Sequence, residues 1–388
     1  MTTIHAATRG GYRRVVLDET GTAASAETSA VADATATDDA TPAATSPETV
    51  ESALDGHALE CVAVHPDRPE RVFVGTFESG LWWSTDGGHS FERVGTDGGR
   101  RAGSDRRPGG DHDRIEPDAV TAVAVAPEAP DEVWVGTEPS RVYRSTDGGT
   151  TWTERDGLTD LDSASEWSFP PRPHTHHVRW LEPAPRRVGG ETDGASGADR
   201  WYVAVEAGAL VRTHDGGATW LDRVPDGPLD THTVATHPDA PDRAWVAAGD
   251  GVAVTTDGGA TWDYPETGLD RTYCWSVAVD AADPERVLLS AARSAREAHT
   301  ADRAETYVYR REGDGPWERL DDAGLPVGPG VTRPVVARGT VGGEFYALSN
   351  RGLWRTADGG DSWRGVSVEW PAGIHEQTAR GLVVVDER

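Results

Sequence analysis

Short runs in which apolar and polar residues alternate follow one another along most of the chain. Cys61-Val-Ala-Val64, Arg71-Val-Phe-Val-Gly75 and Leu81-Trp-Trp83 set the pattern. A period of two is the mark of a strand with one face buried, and Gly-rich breaks separate the runs. A polar phrase, Ser84-Thr-Asp86-Gly-Gly88-His-Ser-Phe91, follows the third run. The unit predicts strand, strand, strand, Asp turn, strand, which is a four-stranded antiparallel sheet.

The same phrase returns as Ser145-Thr-Asp147-Gly-Gly149-Thr-Thr-Trp152, Thr213-His-Asp215-Gly-Gly217-Ala-Thr-Trp220, Thr255-Thr-Asp257-Gly-Gly259-Ala-Thr-Trp262 and Thr356-Ala-Asp358-Gly-Gly360-Asp-Ser-Trp363. A worn copy is Arg310-Arg-Glu-Gly-Asp314-Gly-Pro-Trp317. The closest two, Asp215 and Asp257, are 42 residues apart, which is the bare repeat. A carboxylate at a hairpin tip accepts the turn's own N–H groups, the glycines tolerate positive φ, and the aromatic pins the returning strand. These residues are therefore expected to be structural, on the face away from any site, with Trp152, Trp220, Trp262 and Trp363 buried beside them. The phrase resembles the Asp-box, or BNR, repeat of sialidase-like, sortilin-like and photosystem II assembly factor-like β-propellers. That resemblance spans most of the chain. It implies a propeller, with the repeat facing away from the ligand, and it carries no chemistry of its own.

The chain ends set the number of blades. Thr3-Ile-His-Ala-Ala-Thr8 and Gly11-Tyr-Arg-Arg14 read as second and third strands with no first strand before them, and Gly381-Leu-Val-Val-Val385 reads as the missing one. The expectation is an all-β, seven-bladed β-propeller of four-stranded antiparallel blades, one domain over residues 1–388, with Velcro closure between the two ends. Residues 19–48, rich in Ala, Thr, Ser and Asp, read as a disordered insertion in the closing blade.

Composition narrows the chemistry. All 37 basic residues are Arg, against 65 acidic ones, for a net charge of −28. So negative a field repels phosphate backbones and anionic lipid, so neither nucleic acid nor membrane is an expected partner. With one Met and no Lys, the balance resembles a salt-adapted, haloarchaeal-type proteome. The start of the chain lacks the pattern of a signal peptide, and a cytoplasmic monomer is expected. Cys61 and Cys274 alone could pair, too few for a disulfide framework. No GxSxG, GxxxxGK[ST], HExxH or CxxC occurs, and no cofactor or metal is expected.

Insertions at Val94 to Ala119, Thr153 to Thr175 and Ala291 to Glu305 all fall on the face where the first strands begin, and only Pro185 to Asp199 falls on the other. Long ordered loops are commonly functional, which makes the first face the working one. The first strands were aligned on Val62, Val123, Arg179, Val234, Val277, Val335 and Val383. The position two before holds Glu60, Thr121, His177, His232, Trp275, Arg333 and Gly381, and the one before that holds Arg380 in the last blade. Glu60, His177, His232, Trp275, Arg333 and Arg380 are the candidate ligand-binding residues. Four readings of this ring stand. It is a wet channel mouth with satisfied polar groups. It holds a small anionic or sugar ligand on the Arg and His residues, with Trp275 as a stacking plate. It binds a metal through His174, His176, His177, His232 and Glu60, against which His176 and His177 alternate in direction along a strand. Or it is a hydrolytic carboxylate pair of Glu60 with Glu376, Asp230 or Asp118. The first two favour a non-enzymatic binding or assembly module, with a small ligand or a protein partner on the top face. The alternative is a sialidase-like glycoside hydrolase. For that family the Arg triad would fall on Arg179, Arg333 and Arg380 and the nucleophile on Tyr273, and the Arg-Ile-Pro motif is missing.

Overall fold

The computed structural model describes residues 1–17, 45–95, 114–186, 199–370 and 373–387. Within them the alternating runs have become strands, which assort into seven antiparallel sheets set as blades around a channel. The first blade runs outward from the channel as Leu59–His65, Arg68–Thr76, Leu81–Ser84 and Glu92–Arg93. The channel strands of the next six blades are Ala119–Ala126, Val178–Pro183, Thr231–His237, Tyr273–Val279, Val335–Arg338 and Ala379–Asp386. Each packs on the next, and the last returns to the first.

The closing blade is built as expected from both ends of the sequence. Ala379–Asp386 pairs antiparallel with Thr2–Thr8, Thr3 opposite Val385 and Ala7 opposite Gly381. Gly11–Leu17 and Thr49–Ala53 complete its sheet. Side chains lock the seam: the Thr3 hydroxyl donates to Glu387 Oε1 at 2.8 Å, and Arg14 Nη2 donates to the same oxygen at 2.6 Å. The expected insertion lies, up to residue 44, outside the described residues. Thr45 bridges in parallel to Val366 of the sixth blade on the way back to the seam.

The core lies between blades. Trp245 and Val252 of the fourth blade bury against Val277, Leu289 and Tyr309 of the fifth, and each such side chain removed from water is worth about 1.5–3 kcal/mol. Close approach is bought by small residues: a Cβ at Gly136 would stand 2.4 Å from Val178 Cγ1 of the next blade.

The Asp-Gly-Gly phrases are turns at the end of each blade opposite the channel-strand starts. Asp147 Oδ1 accepts the N–H groups of Thr150 and Thr151 and the Ser145 hydroxyl, while Gly148 and Gly149 hold φ of 72° and 91°. The worn copy keeps the backbone tie, Gly313 N–H to Glu285 O, but Asp314 is fully exposed and takes no turn bond. Trp152 and Trp363 are buried as expected. Trp220 and Trp262 are only half-buried, a correction with a simple cause. In the third and fourth blades the outermost strand shrinks to one bridge, Arg212 to Leu221 and Val254 to Asp263, leaving an edge of each indole uncovered. Cys61 and Cys274 are buried and unpaired.

Candidate functional site

In six blades the ladder slips by one residue near the start of the channel strand, at Glu60, Thr121, Arg179, His232, Trp275 and Arg380. Such a β-bulge leaves one residue unpaired and re-aims its side chain. In the sixth blade Arg333 takes the equivalent place, just before Pro334 and Val335–Arg338. The bulges explain why charged residues interrupt apolar strands at this point.

Glu60, His177, Trp275, Arg333 and Arg380 come together on the wall of one cavity of about 690 Å³ at this end of the channel. His232 does not line it; it is fully buried below. Two of the expected insertions build the rim. Phe169, Pro170, Pro171 and Arg172 come from the third blade's long approach, and Ala295 and His299 from a short helix, Ala295–His299. Arg172 chelates Glu138 with Nε at 2.8 Å and Nη2 at 2.5 Å, and its guanidinium lies between the rings of Phe77 and Phe169. The insertion is thereby a wall and leaves the cavity open. Of the other two excess segments, residues 96–113 and 187–198 lie outside the described residues.

Below the cavity runs a hydrogen-bond relay whose direction is fixed by its first donor. Arg333 Nε donates to His299 Nδ1 at 2.8 Å, and a guanidinium has no lone pair to accept, so His299 carries its proton on Nε2. That proton goes to the Tyr273 oxygen at 3.0 Å. The Tyr273 hydroxyl in turn donates to His232 Nε2 at 3.3 Å, and His232 Nδ1 donates to the Cys274 carbonyl at 2.6 Å. Both imidazoles must be neutral, and burial agrees: it pulls His232 down to about 4 and His299 lower still, with the Arg333 charge adding to the effect on His299.

Trp275 is no stacking plate. The Arg333 guanidinium carbon lies 3.5 Å from its ring centroid, the His232 ring lies 4.2 Å away and tilted, and the His299 edge meets it at 4.8 Å, leaving no free face. Arg333 donates besides to Ala379 O and Thr378 Oγ1, both at 3.2 Å. Among the described residues it has no carboxylate within ion-pair distance. Burial first, then the charges of Arg380 and Arg179, pull its pKa well down. Those two neighbours are matched: Arg380 Nη1 reaches Glu60 at 2.8 Å, and Arg179 Nε stands 3.6 Å from Glu206.

Glu206 and Asp230 form a carboxylate pair that the aligned columns did not contain. Glu206 Oε2 accepts from His177 Nε2 at 3.0 Å. Burial works to raise its pKa, but the His177 hydrogen bond and the neighbouring Arg179 charge outweigh it and hold the carboxyl well below the usual range. Asp230 goes the other way, to about 6, because it is half-buried and faces Glu206 and Asp250. Of the three carboxylates expected beside Glu60, Asp230 lines the same cavity, while Asp118 pairs with Arg93 and Glu376 is exposed. Nor are the expected metal ligands gathered. His174 is exposed, His176 packs edge-on against Trp167, and His177, just before the strand Val178–Pro183, turns onto Glu206. Arg179 and Tyr273 do meet Arg333 and Arg380 in the cavity. The Tyr273 phenol, however, is spent in the relay, and burial with the charges of Glu206 and Asp230 raises its pKa, the reverse of an activated nucleophile.

No family model matches the chain, and no curated protein matches it. Solved structures similar in fold include the GH74 enzyme of Niastella koreensis, with a TM-score of 0.56 at 18% identity over 79% of this chain and 46% of that one. The GH74 xyloglucanase of Xanthomonas campestris gives 0.54 at 17% identity over 83% and 46%. YCF48 of Cyanidioschyzon merolae gives 0.51 at 14% identity over 79% and 84%. The chain spans less than half the length of the two GH74 enzymes. At these identities the likeness is one of fold.

Proposed function

We propose that this chain is a non-enzymatic propeller module of Asp-box type that binds a small anionic or hydroxylated ligand in the cavity at the top of its channel. Arg333 is the observation that carries the reading. A buried charge costs several kcal/mol unless it is paired, yet among the described residues this guanidinium has only neutral acceptors and sits beside two more arginines. An anion entering the cavity supplies the missing charge. The reading goes with a cytoplasmic, salt-adapted monomer that leaves nucleic acid and membranes alone.

A thermal-shift screen in concentrated KCl tests it, with small carboxylic acids, uronic acids, their amides and neutral sugars. A ligand at a hundred times its Kd adds about 2.7 kcal/mol of stability. Acids are expected to raise the melting temperature and their amides not to. No shift from any compound overturns the small-ligand reading and leaves the top face to a protein partner.

A glycoside hydrolase is the second reading, favoured by Glu206 and Asp230. Their facing oxygens lie within 4.8 Å, near the spacing of a retaining pair, and one carboxyl has a raised pKa. Two fold neighbours carry GH74 names. Against it, Glu206, which would be the nucleophile of such a pair, is hydrogen-bonded to His177 and stands 3.6 Å from Arg179, contacts that draw on its charge. Release of reducing sugar from any glycoside in the screen, lost in Asp230→Asn, would establish this reading over the first.

A further inference from the structure

The cavity has a second pole. Glu206 Oε1 and Asp230 Oδ2 face each other with His232 Nε2 behind them, 3.9 Å from the first and 3.8 Å from the second, and all three atoms lie within 4.8 Å of one another. Their other atoms are engaged: Glu206 Oε2 by His177, Asp230 Oδ1 by the Ala207 N–H at 3.0 Å, and His232 Nδ1 by Cys274 O. Into the space between them a single donor enters, the Tyr273 hydroxyl. Neither carboxylate oxygen facing that space has a hydrogen-bond donor among the described residues. Two further side chains of the same cavity carry buried nitrogens that make no hydrogen bond among the described residues: Trp275 Nε1, and His177 Nδ1, which stands 3.8 Å from Glu138 Oε2.

We infer that the ligand is a zwitterion of amino-acid type, whose anionic group is held on the arginine side and whose ammonium group is held between Glu206 and Asp230. This rests on the anion-binding reading above and adds the second group. The hydrogen bonds favour an ammonium over a metal ion. A nitrogen about 2.8 Å from its acceptors, with tetrahedral N–H bonds, takes acceptors about 4.6 Å apart, and the group lies within 4.8 Å. A metal held by all three residues would need the His232 Nε2 lone pair, which already accepts from the Tyr273 hydroxyl, whereas an ammonium needs only the two carboxylates. The two poles are adjacent, since Arg179 Nε and Glu206 Oε2 are 3.6 Å apart, so one compact molecule with both charges reaches both.

Calorimetric titration of the whole protein at pH 7.5 tests this with matched probes: glycine, β-alanine and γ-aminobutyrate, the acids lacking the amine (acetate, propionate, butyrate), and glycine with its nitrogen trimethylated. At least one amino acid is expected to bind ten-fold or more tightly than its deaminated partner, and trimethylation, which removes every N–H, is expected to abolish that gain. In Asp230→Asn the ratio between amino acid and acid is expected to fall toward one. Equal or tighter binding of the simple acids overturns the inference while leaving the anion reading standing. Binding of neither series overturns both. If Mn²⁺ or Zn²⁺ alone stabilises the protein and the amino acids do not, the pole is a metal site and the inference is wrong.

Discussion

Asp230 and Glu206 are like groups in one cavity whose protons leave far apart. A carboxyl raised to about 6 in the fold and near 3.9 in the open chain costs stability once ionised. The cost is absent below the unfolded value, grows between the two and is complete above about 6. Asp230→Asn is therefore expected to raise the melting temperature at pH 7.5, with the gain fading by pH 4. A loss of stability at pH 7.5 contradicts the assignment. The relay keeps His232 and His299 neutral, so tighter binding of simple acids on acidification is expected to follow Asp230, with its midpoint near 6. At the other end of the blade, Asp257 accepts the Ala260 and Thr261 N–H groups and the Thr255 and Thr261 hydroxyls. Asp257→Ala is expected to cost about 1–2 kcal/mol in denaturant unfolding and leave ligand affinity unchanged.

At the scale of the element, alternation made the strands, the turns and the closing seam readable, because burial of one face fixes a period of two. It failed where the period is broken. Every bulge residue sits out of phase with its own strand, and in the third blade alignment on an apolar column put Arg179 among valines, while the structure gives it the place of Glu60. In the last blade the same slip put Gly381 in the ring and Arg380 one residue early. Gly381 instead packs against Val62, where a Cβ would come within 2.9 Å. Glu206 was missed for a different reason: it follows a second strand, in a loop that no strand column samples, and Asp230, just before a first strand, was named only as a partner for Glu60. A search for acidic residues at the ends of loops on the working face would have set Glu206 beside it. The seam gives its own test. Removing the last eight residues takes away the partner of Thr2–Thr8 and opens two edges, so the whole ring is expected to melt earlier and in one transition. An unchanged melting temperature would show that the seam does not hold the ring.

Across the whole molecule, a chain of net charge −28 gathers Arg9, Arg172, Arg179, Arg333 and Arg380 around one cavity. Only ring closure makes this possible, since these residues come from the first-strand side of distant blades and the two seam strands. The acidic exterior repels anions at long range, and concentrated salt screens that repulsion to within a few ångströms, leaving the local arginines to act. The most direct measurement is calorimetric titration, in concentrated KCl, of the best acid or amino acid from the panels into the native protein and into Arg333→Met, whose side chain fills similar space without charge. Saturable one-site binding by the native protein, weakened ten-fold or more in Arg333→Met with the fold intact by circular dichroism, is the expected result. Equal affinity in the two proteins would contradict the assignment of the cavity as an anion site.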